Sequence, residues 1–171
     1  VYTNYIITNC LISKKEWIKC LVGRSKELKK LQKLYESDSF EFAVFYGRRR
    51  VGKTTLINEF IKDKKAVYYM SVEGTRKENL AGFSKALLSD CHGATPQFPD
   101  FESLLGYIDQ LAVTGERMII AIDEFPYLAA SYPAISSMLQ SHIDLHWKNR
   151  PPFFDPLRLI HELYGGAGIR L

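Results

Sequence analysis

The stretch Gly47-Arg48-Arg49-Arg50-Val51-Gly52-Lys53-Thr54 constrains this chain more than any other. It fills the pattern G-x-x-x-x-G-K-[ST], in which a glycine-rich loop cradles phosphate groups. The residue types follow from that chemistry. Gly47 and Gly52 permit backbone angles that a Cβ would forbid. The loop can then turn its N–H groups inward as a nest for phosphate oxygens. The next helix adds its positive N-terminal end to the same anion. Lys53 is expected to reach the β- and γ-phosphates and to act catalytically there, and Thr54 to bind Mg²⁺ through its hydroxyl. Thr55 completes the expected nucleotide-binding set, which runs from Gly47 to Thr55.

The flanks suit such a loop. Phe42-Ala43-Val44-Phe45-Tyr46 is a continuously apolar run, as a buried parallel strand should be. Leu56, Ile57, Phe60 and Ile61 follow at helical spacing. The competing interpretation is an arginine-rich surface turn joining a strand to a helix. A second apolar run, Met118-Ile119-Ile120-Ala121-Ile122, ends in Asp123-Glu124. Asp123, at the end of that strand, is expected to hold Mg²⁺. Glu124 would orient or deprotonate an attacking water. The alternative here is a strand followed by a solvated acidic turn.

Composition narrows the class. The 171 residues suit one domain with a sizeable core, and 46% hydrophobic with 25% charged residues is ordinary for a globular protein. A net charge of +4 does not by itself argue for nucleic acid. Cys10, Cys20 and Cys91 form no C-x-x-C, which favours reduced thiols and a cytoplasmic home over disulfides or zinc. No apolar run is long enough to span a membrane. The first twenty residues lack a basic start and a small-residue cleavage site, so they make a poor signal peptide. His142 and His146, with Asp144 between them, could share a helix face as metal ligands. Without a third ligand at a definite spacing, partly exposed helix histidines are the better reading.

A coarse pass gives alternating elements. Glu27, Leu28, Leu31 and Leu34 mark an amphipathic helix ending near Ser37. Ala66–Met70 reads as a strand and Leu80–Leu88 as a helix. His92–Pro99 reads as a loop, and Asp100 as the N-cap of a helix through about Val113. Pro133–Trp147 reads as a further helix. Strands alternating with helices imply a parallel sheet between two helical layers.

Several stretches resemble a group of bacterial and archaeal P-loop ATPases of the AAA-like, signal-transduction kind. They are Val22-Gly23-Arg24 with Glu27-Leu28, Phe45 through Thr54, Ile122-Asp123-Glu124-Phe125-Pro126-Tyr127-Leu128, and Ser136–Gln140. In that resemblance Gly47–Thr54 is the Walker A loop and the strand ending in Asp123-Glu124 the Walker B strand. It covers about residues 21–149, leaving 1–20 as a leader outside the match. It implies a three-layer α/β P-loop NTPase fold with a parallel sheet, ATP and Mg²⁺ as cofactors, and ATP hydrolysis. It leaves nucleic-acid binding and self-association open, since nothing in this segment argues for either. The residues themselves do not separate ATP from GTP beyond lacking an N-K-x-D guanine motif.

After Asn149 the resemblance stops, and residues 150–171 read as an aberrant tail. The family's next element is an apolar sensor strand, absent here as written, so the sheet is expected to be truncated before it. Read one base out of register with freely chosen third bases, the codons of Phe154–Tyr164 give L-I-L-C-G-S-S-M-S-Y, which resembles that strand. The tail is therefore expected to be an out-of-frame translation, and the chain to hydrolyse ATP poorly. Two alternatives accompany the ATPase reading. One is a nucleotide-dependent interaction module without turnover; the other is a non-functional fragment of a disrupted gene.

Overall fold

A computed structural model of the chain describes residues 24–47, 50–89, 97–111, 117–148, 158–163 and 168–170, the last two segments as backbone. In chain order the elements are α1 (Ser25–Glu36), β1 (Glu41–Tyr46), α2 (Lys53–Ile61), β2 (Ala66–Met70), α3 (Arg76–Leu87) and α4 (Phe101–Leu111). Then come β3 (Ile119–Asp123), α5 (Phe125–Ser131), α6 (Ile135–His142) with a π-helical turn over Ile143–Trp147, β4 (Arg158–Leu163) and β5 (Gly168–Arg170). The sheet order is β2-β3-β4-β1-β5. All neighbours are parallel except the antiparallel edge pair β1–β5.

The alternation of side chains along β3 builds the layers. Ile119 and Ala121 face one core, with Leu31 of α1, Ala43 and Phe45 of β1, and Leu56, Ile57 and Phe60 of α2. Ile120 and Ile122 face the other, with Leu80 and Phe83 of α3, Leu104 and Ile108 of α4, Leu128 of α5 and Ile135 of α6. Every residue of β3 is buried, as a strand covered on both faces requires. This is the expected three-layer arrangement around a parallel sheet.

Some local features depart from the sequence reading. Helix α3 starts a turn earlier than Leu80, at Arg76. Thr75 caps it, accepting from the Glu78 N–H at 3.2 Å while Glu78 accepts from the Thr75 N–H at 2.7 Å. Asp100 does cap α4, its carboxylate accepting from the Ser103 N–H at 2.7 Å. That bond holds the Asp100 carboxyl below its ordinary pKa. Helix α5 was not anticipated; its Pro126 sits in the first turn, where a missing N–H costs nothing.

The expectation of a sheet truncated before the sensor strand is corrected. The backbone of Arg158–Leu163 lies between β1 and β3, with Ala43 and Ala121 both in register with Ile160. The ladder is made of main-chain N–H and C=O groups. A segment of suitable length can satisfy both neighbours whatever the family resemblance of its side chains. The leader 1–20 and the proline-rich stretch 150–157 lie outside the described residues, as do Cys10, Cys20, Cys91 and most of the 92–99 loop.

Candidate functional site

The site forms where β1, β3 and the start of α2 converge, at the carboxyl end of the parallel strands. β1 delivers Gly47, and the loop closes on Gly52, the N-cap of α2, whose backbone is left-handed at φ 80°. Gly52 thus uses the freedom expected of it. Gly47 is not left-handed, and a side chain there would instead meet its own loop at close range. A Cβ there would stand 3.3 Å from Val51 Cγ2 and 3.6 Å from Lys53 Cδ. Arg50 is also left-handed at φ 65° and exposed. Arg48 and Arg49 lie outside the described residues.

Lys53 is buried, and its ammonium donates to the Gly47 carbonyl at 2.9 Å. The cation therefore spans the mouth of its own loop. One residue on, Thr54 Oγ1 donates to Asp123 Oδ2 at 2.8 Å across 69 positions of sequence. Thr55 follows within the first turn of α2, half-buried. Arg24, just before α1, fastens the loop from outside. Its guanidinium donates to the Val51 carbonyl at 2.6 Å and pairs with Glu27 at 3.0 Å.

Asp123 is fully buried, a state a carboxylate tolerates only with several donors around it. Oδ2 accepts from Thr54 and also from the Tyr68 hydroxyl at 2.6 Å, and Oδ1 accepts from the Glu124 N–H at 3.0 Å. The pleat explains the convergence. Asp123 shares a face of β3 with Ala121, and Tyr68 of β2 is in register with Ala121. All three therefore face α2, and the long phenol reaches toward the strand end. The chain leaves this face at Glu124, whose backbone is left-handed at φ 54° and ψ 36°. A non-glycine residue in that region costs about 1–3 kcal/mol and persists only where its surroundings demand it. Glu124 Oε2 is buried without a hydrogen-bond partner among the described residues.

The fit to a divalent cation rests on this donor set. A buried carboxylate beside a hydroxyl offers hard oxygen ligands of the kind Mg²⁺ takes. Of the residues singled out in sequence, the structure brings Gly47, Gly52, Lys53, Thr54, Asp123 and Glu124 together. Tyr68 was missed. Its only sequence signal is a polar-tipped aromatic near the end of a strand, and its role depends on the β2–β3 register.

The histidines lie elsewhere, on α6 and its π turn. His142 Nε2 is 2.9 Å from Asp109 Oδ2, while Trp147 Nε1 donates to Asp109 Oδ1 at 2.7 Å. Asp144 accepts from Lys148 at 2.7 Å and from Gln140 at 2.6 Å, and these bonds, that to Lys148 first, hold its carboxyl below the usual range. Among the described residues no three His, Cys, Asp or Glu side chains converge as a metal site. No helix among them is long and apolar enough to cross a membrane.

Comparison with known proteins places the chain among archaeal relatives. MJECL04, an uncharacterised protein of Methanocaldococcus jannaschii, is 34% identical over 128 residues, covering 75% of this chain and 27% of its own length. MJ0423 of the same organism, described as an uncharacterised ATP-binding protein, is 43% identical over 44 residues, 26% of this chain and 75% of its own. Among solved structures, Cdc6p from Pyrobaculum aerophilum superposes with a TM-score of 0.58 at 15% identity, over 85% of this chain and 40% of that one. The Aeropyrum pernix ORC2 protein, solved as ADPNP–ADP complexes, gives 0.57 at 15% identity, over 95% and 43%. At such identity the likeness concerns the fold. The chain thus spans about a quarter of MJECL04 and two fifths of those solved chains. Residues 21–153 match the family described as an ATPase domain predominantly from Archaea, and the chain belongs to that family.

Proposed function

We propose that this nucleotide-binding ATPase domain takes Mg²⁺–ATP at Gly47–Thr55 and hydrolyses it to ADP and phosphate. The observation that carries the reading is the Thr54–Asp123 contact of 2.8 Å beside the buried Lys53. Two segments remote in sequence meet there with the groups that phosphoryl transfer needs. The adenine base is supported by the family and by the ADPNP and ADP of the ORC2 complexes.

The roles follow from position. The loop amides and the α2 N-terminus bind phosphate oxygens. Lys53 leaves the Gly47 carbonyl for the β- and γ-phosphates. Thr54 and Asp123 would hold Mg²⁺, which when bound neutralises charge on those phosphates. Glu124 accepts a proton from the attacking water as the water oxygen bonds to the γ-phosphorus and the bond to the ADP oxygen breaks. Its Oε2, without a partner among the described residues, would be the acceptor for that task. Reduced thiols and a nucleotide substrate fit a cytoplasmic location.

Calorimetric titration with ATP and an assay of phosphate release test this. Glu124→Gln should bind ATP as the wild type does and release no phosphate, because an amide keeps the shape but cannot take the proton. Release at the wild-type rate would remove Glu124 from the role. Binding without release in the wild type would make the domain a nucleotide-dependent interaction module.

A further inference from the structure

We infer that Tyr68 is a positioning residue for the metal-holding carboxylate, setting how tightly this domain takes a divalent cation together with nucleotide. The inference rests on the Mg²⁺–nucleotide reading of the same site.

Two neutral hydroxyls converge on one oxygen: Thr54 at 2.8 Å and Tyr68 at 2.6 Å both donate to Asp123 Oδ2. They come from two different elements, Thr54 from the helix behind the phosphate loop and Tyr68 from the neighbouring strand. Their fates on cation binding differ. Thr54 belongs to the proposed cation site, so its hydroxyl must serve the cation as well as Asp123. Tyr68 stands outside the proposed cation ligands, so its bond to Asp123 can persist throughout. It holds the carboxylate in one orientation. Charge-assisted bonds of this kind are the strong ones. Groups standing behind a metal ligand orient it, and their loss typically weakens the metal by roughly 10–100-fold.

The register makes the phenol specific to this task. Tyr68 lies opposite Ala121, a small residue that leaves the ring a path along β3 to Asp123. Tyr69, the next residue, points to the other core, where its hydroxyl donates to Asn79 Oδ1 at 2.6 Å. Two adjacent tyrosines thus do unrelated work.

The test uses the whole chain and ADP as probe, so that turnover plays no part. ADP affinity is measured by calorimetry in EDTA and then across a Mg²⁺ titration, for wild type, Tyr68→Phe and Asp123→Asn. Tyr68→Phe should keep the metal-free affinity and shift the Mg²⁺ midpoint upward by roughly 10–100-fold. Asp123→Asn should lose the metal response. An unchanged midpoint in Tyr68→Phe overturns the inference. So does a Tyr68→Phe chain that no longer melts cooperatively, since the hydroxyl would then be holding the fold rather than tuning the site. A wild-type affinity indifferent to Mg²⁺ removes the underlying reading and this inference with it. A wild type that responds while both variants follow their expected curves supports both.

Discussion

The Lys53 ammonium donates to the carbonyl of Gly47, the first glycine of the same loop, at 2.9 Å. The bond closes the loop on itself and keeps a buried cation paired. Binding phosphate then exchanges one oxygen partner for another, with little loss of side-chain order. Lys53→Ala removes a charge-assisted contact worth about 1.5–3 kcal/mol, so the Kd for ATP should rise roughly ten- to a hundredfold. Titration calorimetry showing equal affinity in the variant would contradict this assignment of the charge.

Asn79 should matter to stability more than any polar residue away from the loop. Its side chain is fully buried and makes a closed set of bonds. Oδ1 accepts from the Tyr69 hydroxyl at 2.6 Å and the Val72 N–H at 3.1 Å, and Nδ2 donates to the Val72 carbonyl at 3.1 Å and to Ser131 Oγ at 3.2 Å. It thereby ties the end of β2 to α3 and to α5, the helix that follows Glu124. Asn79→Leu is close in size but leaves several of these groups unpaired, at about 1–3 kcal/mol each. Urea unfolding should show a loss of about 3 kcal/mol or more with an unchanged m-value. A midpoint within error of wild type would show that the network relaxes at no cost.

What was legible in the sequence was what is local. The phosphate loop, β1, β2 and β3 each announce themselves within a few residues, and the Asp123-Glu124 pair closes an apolar run. The capping box of α3 was equally local, since Thr75 and Glu78 have the required spacing. The sequence reading anchored that helix on Leu80 and its apolar face instead. Helix α5 was hidden because Phe125-Pro126-Tyr127-Leu128 reads as a motif, although a proline in a first turn is a helix start. The Tyr68–Asp123 bond and the Asn79 hub depend on strand order and register, which no window of sequence contains. The slot taken by Arg158–Leu163 was illegible for the opposite reason. Its residues lack the apolar continuity of a central parallel strand, while the pairing is made by main chain.

Burial pushes the Tyr69 phenol up to about 12 from an ordinary value of 10. The folded state therefore keeps this proton where the unfolded chain has lost it. With a folded pKa above the unfolded one, the contribution is fully present below pH 10 and is lost as pH rises toward about 12. Tyr69→Phe removes that dependence. Unfolding free energy followed between those pH values should fall more steeply for wild type than for the variant, each compared with its own value at neutral pH. Parallel curves would mean that the phenol ionises in the folded state as freely as in the unfolded one.

The strand slot between β1 and β3 gives the last prediction. Both neighbours pair with Arg158–Leu163 and β1 also pairs with Gly168–Arg170, so removing residues 150–171 strips three ladders at once. Each lost backbone bond costs on the order of 1 kcal/mol net, and more where the groups stay buried. A domain's whole stability is only about 5–15 kcal/mol. The chain ending at Asn149 should therefore lose its cooperative thermal transition. The tail's own sequence brings Arg158, His161 and Glu162 into a strand flanked on both sides by parallel partners, where apolar runs are the rule. Substituting the apolar start of the shifted-frame reading, L-I-L-C, for Arg158–His161 supplies such a run in this slot. That chain should melt several degrees higher than the 171-residue form and release phosphate from ATP faster. Equal or lower melting would show that the tail as written is the better strand, and DNA whose shifted frame does not encode this segment would remove the out-of-frame origin altogether.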